Sequence, residues 1–208
     1  MVDKVALQKK VDELAVRVWD DAAIGARVDK MVKDGIPRKK NDPKELKANK
    51  EKILAHVELL AEEYNYYFKN CAQGTALALF EEFGLGSMEI IKALTPFPGV
   101  GGTGDMCGGI TGALMAFGLF WGPENPPDFD KMNMIIETSQ KYMAKFEGQI
   151  GHMYCADIIE TVILGTRINP GDSPEAMMDF ANQKGFEKCG LPPGTGVKLA
   201  AEMMIDSL

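Results

Sequence analysis

Four cysteines stand in settings that favour chemistry over packing. They are Cys71 in Asn70-Cys71-Ala72-Gln73-Gly74, Cys107 in Met106-Cys107-Gly108-Gly109-Ile110-Thr111-Gly112, Cys155 in Tyr154-Cys155-Ala156-Asp157, and Cys189 in Lys188-Cys189-Gly190. A thiol that only fills a core has no need of Gly, Asn or Asp beside it. A thiolate that binds iron or exchanges electrons needs nearby backbone N–H groups and room for close approach. The gaps of 36, 48 and 34 residues between successive cysteines are unlike the short Cys-x-x-Cys knuckles of zinc ribbons and ferredoxins. Any shared site must therefore be assembled by the fold. On spacing alone, packing of the cysteines as small hydrophobes stands level with a functional reading.

Three chemistries suit four gathered thiols. Cys71, Cys107, Cys155 and Cys189 satisfy the ligand count of an iron–sulfur cluster. The same four accept zinc tetrahedrally in a non-catalytic protein. Without metal, thiol–disulfide exchange needs one thiol of low pKa and a second to resolve the intermediate; Cys107 is the expected attacker and Cys155 the other catalytic candidate. Both are expected at helix N-termini, where unpaired N–H groups and the helix dipole favour a thiolate.

The elements that must position these residues read as helical throughout. Val5, Leu7, Val11, Leu14, Ala15 and Val18 predict a helix from 3 to about 24, with further pattern at Val28, Met31 and Val32 before Asp34-Gly35-Ile36-Pro37. Asp42-Pro43 marks a helix start. Ile53, Val57, Leu60, Tyr64, Tyr67 and Cys71 recur at steps of four and three, predicting one helix that puts Cys71 on its buried face and runs past Gly74 to Phe83-Gly84. Ser87 looks like the N-cap of a short helix closed by Thr95-Pro96-Phe97-Pro98. Beyond the glycine-rich stretch 96–105, Ile110 to Trp121 reads as a buried helix, then a helix through Met132, Ile135, Ile136, Met143 and Phe146. His152 to Gly165, Ser173-Pro174 to about Lys184, and Gly196 to Ile205 complete the series, with Cys189-Gly190-Leu191-Pro192-Pro193 as a connection. No strand pattern and no internal repeat is evident. The expectation is an all-α bundle of about seven or eight helices with a glycine-rich loop at the cysteine site. Residues 1–50 form an N-terminal helical extension and 51–208 the four-cysteine domain.

Composition narrows the function. The chain has 208 residues, 23 basic against 30 acidic, and a net charge of -7, which argues against nucleic-acid binding. It is long enough to bury a core without disulfide staples. The longest apolar run, Ile110 to Trp121, is 12 residues, too short for a membrane span. Met1-Val2-Asp3-Lys4-Val5 lacks the layout of an export signal, so the expected location is cytoplasmic, where cysteines are more often free, metal-bound or catalytic than bridged.

Other motifs are weaker. Gly99-Val100-Gly101-Gly102-Thr103-Gly104 fits G-x-G-x-x-G formally, but no strand precedes it, so a dinucleotide site is rejected. Gly101, Gly102 and Gly104, with Gly108, can still place backbone N–H groups beside an anion or a cluster sulfide, or simply make a tight connection. On a helix, His152 would share a face with Cys155 as a neighbouring ligand or base. Adjacent Glu62-Glu63 and Glu81-Glu82 point apart on a helix, which disfavours a dicarboxylate metal site. The 13 methionines read as core filling.

With these residues in view, the segments around Asn70-Cys71-Ala72-Gln73, Cys107-Gly108-Gly109-Ile110-Thr111-Gly112-Ala113, Cys155 and Cys189 resemble the redox-active protein family named for its C_GCAxxG_C_C cysteine pattern. The resemblance spans about residues 55–205 and includes the order of all four cysteines. It implies redox activity as an electron-transfer protein or oxidoreductase component, an oxidoreductase partner protein, and an iron–sulfur centre, since a related domain in split-Soret cytochromes is associated with one. Two departures stand out. Gly109 occupies the place of an alanine in the family pattern, and about 50 N-terminal residues have no counterpart in short family members. That extension would cover the cysteine site, form a homodimer contact or shape a substrate pocket.

Overall fold

The computed structural model describes residues 2–208. All regular structure among them is helical, apart from one isolated antiparallel bridge between Met106 and Tyr154. In chain order the helices are α1 (Lys4–Val16), α2 (Asp21–Asp34), α3 (Pro43–Ala48), α4 (Lys50–Phe68), α5 (Cys71–Phe83), α6 (Met88–Ala93), the single turn α7 (Gly99–Gly102), α8 (Gly108–Trp121) and α9 (Phe129–Ile150). Then come α10 (Cys155–Ile158), which runs into a π-helical turn Ile159–Ile163, and α11 (Pro174–Asn182), α12 (Gly185–Lys188) and α13 (Leu191–Asp206). No described helix is long and apolar enough to cross a membrane.

The all-α expectation holds, but the helices outnumber the seven or eight expected because two predicted helices each break in two and the short turns α7 and α12 are added, while the last helix starts earlier than expected. The first predicted helix breaks between Val16 and Asp21, where Asp20 caps α2 by accepting from the Ala23 N–H. The predicted helix through Cys71 also breaks: Lys69 adopts a left-handed conformation (φ 52°) and Asn70 caps a new helix through its side chain, which accepts from the Gln73 N–H at 3.0 Å. Cys71 is thus the first residue of α5, not the last on the buried face of α4. The last helix starts at Leu191, five residues before the predicted Gly196, because Pro192 and Pro193 fit a first turn whose N–H groups need no intrahelical partner.

The centre of the molecule is α5, α8 and α13, with α4 against α5 and α13. Helix α8 is apolar on nearly every face, as its buried position requires. Leu77, Leu79, Phe80, Phe117, Tyr142 and Phe146 are fully buried between these helices, each worth about 1.5–3 kcal/mol of transfer free energy. The N-terminal helices join the same core rather than forming one of their own: Val11, Leu14, Ile24, Val28 and Met31 pack with it. They are also clasped to it by charge. Glu62 on α4, only 1% exposed, receives Lys10 Nζ at 2.8 Å and Arg17 Nη1 at 2.5 Å.

Candidate redox site

Each cysteine sits where a helix begins or ends. Cys71 opens α5. Its N-cap Asn70 also donates from Nδ2 to the Thr95 carbonyl at 3.1 Å, and Gln73 Nε2 donates to the Ile91 carbonyl at 2.8 Å, so α6 fixes the start of α5. Cys107 is the residue before α8 and is 3% exposed. Its carbonyl accepts from the N–H groups of Ile110 and Thr111. Cys155 opens α10, and Cys189 ends α12, donating its N–H to the Gly185 carbonyl at 2.8 Å.

Backbone hydrogen bonds bring the second and third cysteines together. The Cys107 N–H donates to the Met153 carbonyl (2.9 Å), the Cys155 N–H to the Asp105 carbonyl (2.7 Å) and the Ala156 N–H to the Gly104 carbonyl (2.9 Å). Segments 104–107 and 153–156 are therefore zipped side by side, the one ladder-like pairing among the described residues. The first and second cysteines meet through glycine. A Cβ on Gly108 would lie 2.3 Å from Cys71 Sγ and 2.6 Å from the Ala72 N, so only glycine lets α8 start against α5. Gly109 is equally constrained: a Cβ there would meet the Pro192 carbonyl at 2.9 Å, and its own carbonyl accepts from the buried Tyr142 hydroxyl at 2.9 Å. The departure from the family's alanine is thus matched to the close approach of α13 in this chain.

The four thiols act on one another. Cys107 donates a hydrogen bond to Cys71, and this, with the N–H groups of Gly108, Cys71 and Ala72, holds the Cys71 thiol below the ordinary cysteine range against the opposing effect of burial. The same bond, then burial and the charges of Cys71 and Cys155, push Cys107 well up. Burial, then the charge of Cys71, pushes Cys155 up to about 12. Burial, then Cys155 and Cys71, raises Cys189 well above its ordinary value. Cys71 therefore acts on the other three thiols and Cys155 on Cys107 and Cys189, and no basic side chain is among the causes that raise Cys155 or Cys189. None of the four is in a disulfide. Among the described residues, no group of three or more His, Cys, Asp or Glu side chains is placed to hold a metal ion.

Several expectations change. The thiol held low is Cys71, the residue placed in the middle of a helix by periodicity, whereas Cys107, expected as the attacker, is the hydrogen-bond donor of the pair. The signal for this was present in the sequence: Asn70 followed by Gln73 three residues later is an N-cap pattern. His152 lies before α10, not on it, and lines a separate cavity with Val2 and Leu7. Of the four glycines, Gly108 is at the thiol pair. Gly101, Gly102 and Gly104, at φ 77°, 74° and 83°, line a cleft that Cys155 also lines. The N–H groups of Gly101 and Gly102 are spent inside the loop, on the carbonyls of Pro96 and Pro98, and the N–H groups that act on the thiol pair are those of Cys71, Ala72, Gly108 and Gly109. Of the three roles open to the extension, the first has contacts behind it: α1 packs on α12 and on the π turn after Cys155, with Leu14 beside Gly190.

No curated protein and no solved structure matches the chain. A family model does, that described as "Putative redox-active protein (C_GCAxxG_C_C)", over residues 69–203. The match takes in all four cysteines and both zipped segments, and leaves α1 to α4 outside. With 69–203 covering well over half of the chain, the protein belongs to the C_GCAxxG_C_C redox-active family.

Proposed function

We propose that the protein is an electron-transfer protein or oxidoreductase component whose working centre is an iron–sulfur cluster held by Cys71, Cys107, Cys155 and Cys189. The observation that supports this reading is the backbone arrangement: Gly108 packs against Cys71 Sγ, and the paired segments 104–107 and 153–156 set Cys155 beside Cys107. In the chain by itself Cys71 is the thiol held low and the other three are pushed up, because each further thiolate meets burial and a like charge. A disulfide needs only two of the four. A cationic iron centre suits all of them, since it supplies the positive charge the chain withholds and lets each ligand lose its proton. Such a cluster would contribute one-electron chemistry at a potential set by burial and by hydrogen bonds to sulfur. The chain's own contribution is then the cradle: Asn70 and Gln73 fix Cys71, the 104–107 and 153–156 ladder fixes Cys107 and Cys155, and the N–H groups of Gly108 and Gly109 face the first two sulfurs. The electron partner would be another oxidoreductase protein.

Anoxic purification with iron, zinc and sulfide quantified tests it. The expected result is a brown protein containing iron and sulfide, with Cys→Ser at any of the four positions lowering both. Zinc without iron or sulfide would overturn it.

A second reading is favoured by the Cys107-to-Cys71 hydrogen bond. In it the Cys71 thiolate attacks a substrate disulfide and releases one thiolate; Cys107 then loses its proton, attacks Cys71 Sγ and releases the second, leaving a Cys71–Cys107 disulfide. This version gives a colourless protein that loses two titratable thiols on oxidation.

A further inference from the structure

A cleft of about 380 Å³ opens beside the cysteine site. Cys155 lines it, together with the loop 96–104, the segment Asn169, Pro170 and Gly171, and Met177 and Phe186. The loop and that segment are braced against each other. Asn169 Nδ2 donates to the Gly102 carbonyl at 2.9 Å, and a Cβ on Gly171 would lie 2.2 Å from that same oxygen. The loop is also held in an unfavourable shape: Val100, a β-branched residue, sits at φ 45°, a conformation that persists only where the surroundings impose it. Here they do, through the Gly101-to-Pro96 and Gly102-to-Pro98 hydrogen bonds. The cleft is therefore preformed, as small-molecule sites usually are.

Its lining is chemically lopsided. Proline, glycine, methionine and phenylalanine make most of the walls, Asn70, Thr95 and Asn169 add neutral polar groups, and no carboxylate lines the cleft. The one charged group is Lys69 at the rim, the left-handed residue that separates α4 from α5. Its ammonium lies 3.6 Å from the centre of the Tyr66 ring and 5.7 Å from that of Phe186. Glu187 and Asp21 act on it only through charge at a distance, so it remains available to an incoming anion.

We propose that this cleft binds a small organic carboxylate with an apolar body, its anionic end taken by Lys69 and its other end directed to Cys155. The apolar walls take the body of the ligand, the rim cation its charge, and the position of Cys155 makes the bound molecule the natural partner of the cysteine centre. Its role as a redox substrate rests on the reading above; the binding itself does not.

Isothermal titration of the anoxically purified full-length protein with benzoate, and with benzamide as its neutral counterpart, tests the proposal. Benzoate is expected to saturate one site and benzamide to bind about tenfold more weakly, the ratio that loss of one charge-assisted contact gives. Lys69→Met should weaken benzoate by a similar factor and leave benzamide unchanged, Lys69→Arg should keep most of the affinity, and Met177→Trp should obstruct both ligands. Absence of saturable benzoate binding, or equal affinity in Lys69→Met, overturns the proposal. If iron and sulfide are missing while benzoate still saturates, the cluster falls and the cleft stands. If the cluster is present and benzoate does not bind, only the cleft inference falls.

Discussion

The clasp between α1 and α4 and the four-thiol centre bury ionisable groups in opposite ways. Glu62 is almost wholly removed from solvent, and the chain answers it with two cations of its own, Lys10 and Arg17. The cysteines are also removed from solvent, but the groups that act on Cys155 and Cys189 are other cysteines and no cation. Burial of a charge is tolerated only when it is paired. The first region is complete as the polypeptide folds; the second is finished only by keeping its thiols protonated, by oxidising them, or by binding something positive. That contrast assigns structure to the extension and chemistry to the centre, although the two touch where α1 lies on the Cys189 segment.

The strongest way to break the comparison is to make Glu62 resemble the thiols. Lys10→Met with Arg17→Met leaves the carboxylate buried and unpaired, and denaturant unfolding should show a loss of about 3–5 kcal/mol. Gly108→Ala comes next. The new Cβ has Cys71 Sγ and the Ala72 N in its way, so overpacking should cost about 1–3 kcal/mol and return the Cys71 thiol toward ordinary reactivity, followed by the pH dependence of alkylation in the reduced, metal-free protein.

The pH response of stability sharpens the contrast. Cys155 is raised to about 12, so its contribution to the reduced, metal-free fold is fully present below the unfolded cysteine value near 8.5 and is lost as pH rises toward 12. Cys71 is lowered, so its contribution runs the other way, present above the unfolded value and lost as pH falls through its folded one. Melting temperature should therefore decline on the alkaline side, at up to about 1.4 kcal/mol per pH unit for each linked proton, and iron loading should flatten that decline. The smallest expected effect is at the cap: Asn70→Ala removes the bond to the Gln73 N–H and should cost about 1 kcal/mol in thermal or chemical unfolding.

The helical class of the protein was legible because the apolar residues of α2, α4, α9 and α13 recur at helical spacing, and because Asp42-Pro43, Ser173-Pro174 and Gly84 mark ends that local chemistry alone enforces. The α4–α5 break was not read, since a stripe that continues through Cys71 conceals a change of direction at Lys69. Tyr67, counted in that stripe, is 39% exposed. A periodic pattern reports which residues are apolar, not whether the axis bends between them.

By itself the sequence determined the inventory: helices, four thiols in small-residue settings, glycines where a backbone must approach, and a family pattern that joins them. Only the tertiary structure decided which thiol is low and which are high, because those shifts come from hydrogen bonds, burial and charge among residues 34 to 118 positions apart. It also turned the glycine loop from a cradle for the thiols into the wall of a cleft beside Cys155. Local propensity is written in neighbouring residues, whereas electrostatic coupling depends on distance in space, and that distance is set when α5, α8 and α13 close on one another.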